Sequence, residues 1–158
     1  MDKKEDCSLL KIRLLGEFEL SCSDTPLPLP ATLKACSLLA YLIVHRERTC
    51  SREQLADLFW PDRPRDKALR SLSTALWHIR RTLPSSDYLL SNAQTVQFNP
   101  ESDYWLDVAE FEALCSHSTE ETNERLIARL GQAADLYRGD FMDGFYDDWC
   151  LDVRYRLE

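Results

Sequence analysis

Six basic side chains lie close together between Arg63 and Pro84, and their chemistry is that of an anion-binding surface. They are Arg63, Arg65, Lys67, Arg70, Arg80 and Arg81. The stretch contains one acidic residue, Asp66. Guanidinium and ammonium groups neutralise phosphates, and short polar side chains such as Ser71 and Thr74 reach the edges of bases. The spacing therefore makes this stretch the first candidate for a functional site, with a polyanion as its partner.

A helix over residues 65–83 would separate these side chains from the apolar ones, because successive helical residues turn by about 100°. Leu72, Leu76 and Ile79 fall on one side, together with Leu69 and Leu83. The opposite side carries Arg70, Thr74, Trp77, His78 and Arg81, with Lys67, Ser71 and Ser73 beside them and Arg80 at the flank. The pattern predicts a helix with one packed side and one positive, hydrogen-bonding side.

Two plainer interpretations of this helix stay open. A basic helical face is often only a solvated face, and Trp77 could instead be tucked against a neighbouring hairpin or domain. However, a solvated face normally mixes charges of both signs, and this one does not. A tryptophan within an exposed patch is typical of a contact surface.

The charge of the chain is unevenly distributed. The formal net charge of the 158 residues is -8. Residues 1–100 carry 14 basic and 12 acidic side chains, whereas residues 101–158 carry 5 and 15. This asymmetry predicts two modules, 1–100 and 101–158, with a boundary near Pro100–Trp105. Because an acidic surface is repelled by nucleic acid, any DNA contact is expected in the first module.

The surrounding elements predict how the basic helix is positioned. Alternating apolar residues indicate strands at Leu9–Gly16 and Phe18–Ser23, and "LPLP" allows only a short edge strand. A helix follows Pro30, and a second helix, "SREQLADLFW", has Ser51 as its predicted N-cap. After the basic helix, "YLLS" and "TVQF" predict a hairpin over about residues 88–98.

The last 50 or so residues look wholly helical, beginning with Asp107 as a predicted N-cap. In "DFMDGFYDDW", Phe141, Phe145 and Trp149 recur every four residues. They would share one face if the segment is helical, although Gly144 could interrupt it. The predicted fold class is thus α+β and then all-α. A winged helix-turn-helix with an N-terminal antiparallel sheet and a C-terminal wing hairpin precedes a helical module.

The sequence contains no recognisable catalytic or cofactor-binding motif. The four glycines are far apart and form neither a Walker loop nor a dinucleotide fingerprint, and the three histidines form no HExxH pattern. The six cysteines lack zinc-site spacing and are expected to be free structural thiols. Neither a membrane-spanning segment nor a signal peptide is evident. We therefore expect a cytoplasmic protein that is not an enzyme and that has no cofactor, no metal and no membrane partner.

Five stretches of the chain resemble a known family. They are "LKIRLLGEFEL", "LKACSLLAYL", "SREQLADLFWPD", "LRSLSTALWHIRRTL" and "LLSNAQTVQFNPESDYWLDVAEFEAL". They are similar to the response-regulator winged helix and, more closely, to the bacterial antibiotic regulatory proteins. The later segment "AADLYRGDFMDGFYDDW" resembles the start of the bacterial transcriptional activator domain, which is helical and tetratricopeptide-like.

The resemblance implies sequence-specific binding of double-stranded DNA and regulation of transcription. Helix 65–83 would lie in the major groove and hairpin 88–98 on the backbone. Arg70, Ser71 and Thr74 would face the groove or its edge, and Trp60 and Thr95 match backbone-contacting positions. From the residues and the resemblance together, the predicted DNA-binding set is Trp60, Arg65, Lys67, Arg70, Ser71, Thr74, Trp77, His78, Arg80, Arg81 and Thr95. Trp77 and His78 depart from the family pattern, so a different sequence preference is expected.

The resemblance also implies partners other than DNA. RNA polymerase could contact the helical module or the loop "PDRPRDK", and a homodimer could bind repeated half-sites. Two alternatives remain: an adaptor whose Trp77 face docks a protein, and the N-terminal module of a larger signalling ATPase. A salt-sensitive association would favour DNA over an apolar protein contact.

Overall fold

The computed structural model describes residues 9–116 and 121–158, and within these ranges it contains seven strands and six α-helices. In chain order they are β1 Leu10–Arg13, β2 Glu19–Cys22, β3 Thr25–Leu27, α1 Leu33–Val44, β4 Cys50–Ser51, α2 Arg52–Phe59, α3 Arg65–Thr82, β5 Leu89–Ser91, β6 Thr95–Phe98, β7 Tyr104–Leu106, α4 Asp107–Cys115, α5 Asn123–Leu136 and α6 Asp148–Leu157. A 3₁₀ turn, Ser86–Tyr88, precedes β5.

The first sheet has the strand order β3-β2-β1-β7. The predicted antiparallel pairing of β1, β2 and β3 is confirmed, and Pro26 lies on the edge strand, where a missing N–H is tolerated. Strand β7 pairs in parallel with β1, with Leu10 opposite Tyr104. The sequence predicted no strand at Tyr104–Leu106, which precede the predicted helices, because the pairing that forms β7 is remote in sequence.

The winged helix lies between β3 and β7. Thr32 and Ser51 cap α1 and α2 by accepting hydrogen bonds from the backbone N–H groups of Ala35 and Gln54, at 3.1 and 3.3 Å. Helix α3 packs on α1 and α2, and the second sheet has the order β4-β6-β5. The predicted winged helix-turn-helix with a wing hairpin is confirmed, including the N-cap at Ser51.

Asp107 does not act as the predicted N-cap. Helix α4 begins at Asp107 itself, and the N-cap position is Leu106. The Asp107 carboxylate is buried and accepts hydrogen bonds from the N–H groups of Leu14 and Leu15 at 2.9 to 3.0 Å, and from Val108 at 2.8 Å. Burial raises the pKa of this carboxyl, and the three donors oppose the shift. Asp107 therefore ties the start of α4 to the end of β1.

The segment between α5 and α6 is not helical, so its aromatic residues do not share one helical face. Phe141 forms an antiparallel bridge with Leu15, and the Met142 N–H donates to the Leu14 carbonyl at 2.7 Å. Gly144 has φ +89°, a left-handed conformation that favours glycine. Phe141 and Trp149 are nevertheless both buried.

Helix α6 packs against α1. The Trp149 ring meets the Tyr41 ring edge-on with centroids 5.4 Å apart, and its indole N–H donates to Ser37 Oγ at 3.1 Å. The hydrophobic core includes buried residues from both sides of residue 101. The boundary between modules 1–100 and 101–158 stays a prediction.

The cysteines differ in their states. Cys36, Cys50 and Cys150 are buried free thiols, and burial raises the pKa of Cys150 to about 12. Cys115 is free and exposed. Cys22 is disulfide-bonded, so the expectation of a free thiol is wrong there. Cys7 and His117 lie outside the described residues.

No helix within residues 9–116 and 121–158 combines the length and the apolar character needed to cross a bilayer.

Candidate nucleic-acid interface

The outward side of α3 is open to solvent. Lys67, Arg70, Thr74, Trp77, Arg80 and Arg81 are exposed, and Ser71 and His78 are half-buried. The opposite side packs into the core through Leu72, Leu76 and Ile79, all fully buried. Between Lys67 and Arg81 the helix carries no acidic residue. The amphipathic pattern thus produces one apolar side and one basic side, as the sequence predicted.

An aromatic and cationic cluster lies at the centre of this outward side. The Arg81 guanidinium lies 4.7 Å from the centroid of the Trp77 ring, within cation–π distance. The His78 ring meets the Trp77 ring edge-on, with centroids 5.1 Å apart. Trp77 remains 52% exposed, so neither the wing nor the described part of the C-terminal helices covers it.

A second feature is a groove of about 390 Å³ between the start of α1, the end of α2 and α3. Its lining residues are Thr32, Lys34, Trp60, Arg63, Arg70, Ser71, Thr74, Ala75 and His78. None of these described lining residues is acidic, and three of them are cationic. Hydroxyl groups and the indole of half-buried Trp60 add hydrogen-bonding capacity. The groove, termed here the α1–α3 groove, has the chemistry of a phosphate site.

Two arginines before and at the start of α3 differ in their partners. Arg63 donates a hydrogen bond to the Ser71 hydroxyl. Arg65 forms an ion pair with Glu53 of α2, and both side chains are more than 60% exposed. An exposed ion pair contributes little to stability, but it neutralises part of the positive charge at this end of α3. Among the basic residues of the predicted site, Arg65 is therefore the one whose charge is partly neutralised by an ion pair.

The wing is joined to the rest of the interface by Arg52 and Arg80. Arg52 Nε donates to the Asn92 carbonyl at 2.8 Å, and Arg80 donates to the Ser91 hydroxyl. Burial and then the nearby charge of Arg80 lower the pKa of Arg52. The Asn92 side chain also accepts from the backbone N–H of Thr95 at 2.8 Å, which closes the wing turn.

Most of the predicted DNA-binding residues fall into three groups: the α1–α3 groove, the cluster around Trp77, and the wing. Arg70, Ser71, Thr74 and His78 meet Trp60 in the α1–α3 groove. Trp77 and Arg81 form the central cluster. Thr95 is half-buried on β6, opposite Ser51 of β4, near the wing turn to which Arg80 is bonded. Their roles in DNA binding stay predictions.

Three cationic residues of this surface are absent from the predicted set: Lys34, Arg52 and Arg63. Arg63 belongs to the basic run and could have been selected on charge alone. Lys34 and Arg52 lie in other elements. Pairing of β4 with β6 and packing of α1 beside α3 bring them to this side, and neither leaves a local sequence signal.

Comparison with known proteins agrees with this geometry. Residues 26–97 match the family described as "Transcriptional regulatory protein, C terminal". Over 74 residues the chain is 32% identical to the transcriptional regulatory protein MoaR1 of Mycobacterium bovis and of Mycobacterium tuberculosis. That alignment covers 47% of this chain and 24% of each relative. The chain therefore spans about a quarter of the length of these curated relatives.

A solved structure shows the same fold over almost the whole chain. It is Mycobacterium tuberculosis EmbR in complex with a low-affinity phosphopeptide, with a TM-score of 0.74 and 21% sequence identity. The likeness covers 94% of this chain and 41% of that chain. The predicted fold, a winged helix followed by helices, is thereby confirmed. The residues matched by the family described as "Transcriptional regulatory protein, C terminal", 26–97, include the helices and the wing hairpin of the winged helix.

Proposed function

We propose that this protein binds double-stranded DNA with sequence preference and regulates transcription from the bound site. Helix α3 enters the major groove, which is wide enough for a helix. The β5–β6 wing lies against the adjacent backbone. The observation that carries the proposal is the bare outward side of α3, which has no acidic residue between Lys67 and Arg81 and where basic side chains surround an exposed tryptophan.

The surface provides two kinds of DNA contact. Lys67, Arg70, Arg80 and Arg81 neutralise phosphates and give affinity that is independent of sequence. Ser71, Thr74, Trp77 and His78 supply hydrogen bonds and apolar contact to base edges, which give preference. Trp60 contributes from the α1–α3 groove, and Thr95 contributes from the wing. Arg65, which is paired with Glu53, is expected to contribute least.

The C-terminal helices leave this surface free. Trp149 of α6 contacts Tyr41 and Ser37 on α1, and α4 and α5 pack against each other. We assign these acidic helices an effector role: contact with RNA polymerase, or self-association of two copies on repeated half-sites. The polymerase could also contact residues 61–67, which form the α2–α3 loop and the first residues of α3. The proposal places the protein in the cytoplasm and assigns it no catalytic step.

Selection from a random pool of duplexes, followed by footprinting of one recovered duplex, tests the proposal. We expect enrichment of a defined motif and protection of one major-groove segment with its flanking backbone. Arg70→Ala and Arg81→Ala should weaken binding to all duplexes. Absence of enrichment, or wild-type binding by both variants at low salt, would contradict the proposed function.

The exposure of Trp77 also favours a second candidate function, an adaptor that docks a protein partner. An apolar contact at this ring would change little with salt, whereas DNA binding weakens steeply. The absence of acidic side chains between Lys67 and Arg81 of α3 favours DNA over a protein as the partner. A role as the N-terminal module of a larger signalling ATPase stays a hypothesis that concerns sequence outside these 158 residues.

A further inference from the structure

Trp77 is an unusual residue for the centre of a basic helix surface. Among the large hydrophobic residues that are exposed within residues 9–100, the others are leucines, and Trp77 is the one aromatic residue. Thr74 lies one turn before it and Arg81 one turn after it, and both are exposed. An indole has one hydrogen-bond donor and no acceptor, so most of the surface that Trp77 presents is apolar. Its partner on DNA must therefore offer an apolar feature.

The position of the ring is already restricted before DNA binds. The Arg81 guanidinium lies against one region of the ring at 4.7 Å, and the His78 ring meets it edge-on. A side chain held by two neighbours loses less conformational freedom on binding than a free one. The cluster thus presents the ring outward at a defined place, with one guanidinium beside it for a phosphate or a guanine edge.

The major groove contains one apolar group among the donors and acceptors of the four bases, the C5-methyl group of thymine. We propose that Trp77 recognises a thymine methyl group, so that one A·T pair in each bound site is selected by apolar contact. This inference rests on the proposed function, because it requires α3 to lie in the major groove. Beyond DNA binding itself, this inference specifies that the centre of α3 selects a thymine.

Deoxyuridine substitution tests the inference, because it removes the methyl group and leaves the base pairing unchanged. The duplex that wild-type protein recovers from a random pool is remade with each thymine replaced in turn. We expect one position at which wild-type affinity falls about fourfold, the change expected for one buried methyl group. The same replacement should change the affinity of Trp77→Ala by less than about 1.5-fold.

The controls separate this inference from the proposed function. Tyr155→Ala removes an aromatic ring that is 82% exposed on α6, a helix that packs against α1, and should keep the wild-type response to deoxyuridine. If binding is intact but no thymine methyl matters, or Trp77→Ala responds like the wild type, the thymine assignment is wrong and DNA binding stands. If the pool yields no enriched duplex, the proposed function fails and this inference fails with it.

Discussion

Helices α1 and α3 belong to the same winged helix, but their surroundings differ completely. Eight of the twelve residues of α1 are buried, and its surface is covered by the core on one side and by Trp149 of α6 on another. Helix α3 buries six of its eighteen residues and leaves its basic side bare. A helix that is apolar around most of its circumference becomes internal, whereas an amphipathic helix stays at the surface.

The C-terminal helices attach to the winged helix without covering Trp77 on the outward side of α3. Helix α6 contacts α1 and helix α4 contacts the end of β1, whereas Trp77 on the outward side of α3 stays 52% exposed. Contacts around α1 should therefore determine stability, and side chains on α3 should determine DNA binding.

Two tryptophans provide the strongest contrast. Trp149→Ala removes a buried ring packed on Tyr41 and Phe141, so we expect the free energy of unfolding to fall by about 3–5 kcal/mol. Trp77→Ala removes a half-exposed ring, and we expect it to change the free energy of unfolding by less than about 1 kcal/mol. Urea denaturation followed by circular dichroism measures both. Equal losses would contradict the distinction between the two helices.

Asp107 tests the attachment of α4 to β1. Asp107→Ala leaves the N–H groups of Leu14 and Leu15 without their acceptor in a buried place, so we expect a loss of about 2–4 kcal/mol in stability. Glu110→Ala, on the exposed side of α4, is the matched control and should stay within about 0.5 kcal/mol. Thermal unfolding measures the stability of both variants. If Asp107→Ala is as stable as the wild type, the hydrogen bonds from Asp107 to the backbone of Leu14 and Leu15 are not needed for stability.

On α3 the expected effect is on binding and not on folding. Arg70→Ala should reduce affinity for every duplex by about 1–2 kcal/mol and should lower the salt slope by about one unit. Its unfolding should be unchanged, because the side chain is exposed. Arg125→Ala on α5, also exposed and basic, is the control and should bind like the wild type. Fluorescence anisotropy over a salt series gives both quantities.

The smallest effects are expected at the wing. Arg52→Gln and Arg80→Gln retain a hydrogen-bond donor near Asn92 and Ser91 but remove charge, so affinity should fall about two- to fivefold without altered sequence preference. Stability should stay the same or rise slightly, because the two guanidinium groups repel each other. A changed preference would instead indicate that these arginines contact bases.

Local patterns predicted much of this molecule. Helical periodicity predicted α1, α2 and α3 within a few residues, and capping chemistry predicted the N-cap at Ser51. The apolar and basic sides of α3 follow from spacing alone. These features are determined by residues that are close together along the chain, so they can be predicted from one sequence without knowledge of distant contacts.

Features that depend on distant contacts were missed. Strand β7 exists because Tyr104–Leu106 pairs with β1, some 90 residues earlier, and Asp107 binds the backbone just after strand β1. Lys34 and Arg52 join the candidate site only after α1 and β4 are positioned beside α3 and β6. No local pattern distinguishes these residues from ordinary surface side chains.

The salt dependence of DNA affinity measures how much of the binding comes from the basic side chains of α3 and the wing. If the outward side of α3 and the wing neutralise about five phosphates, the logarithm of affinity should fall with the logarithm of salt with a slope of about -4.5. Affinity for the selected duplex should then decrease by roughly several hundredfold between 50 and 200 mM salt. An affinity that changes by less than about twofold over this range would contradict binding through the basic surface.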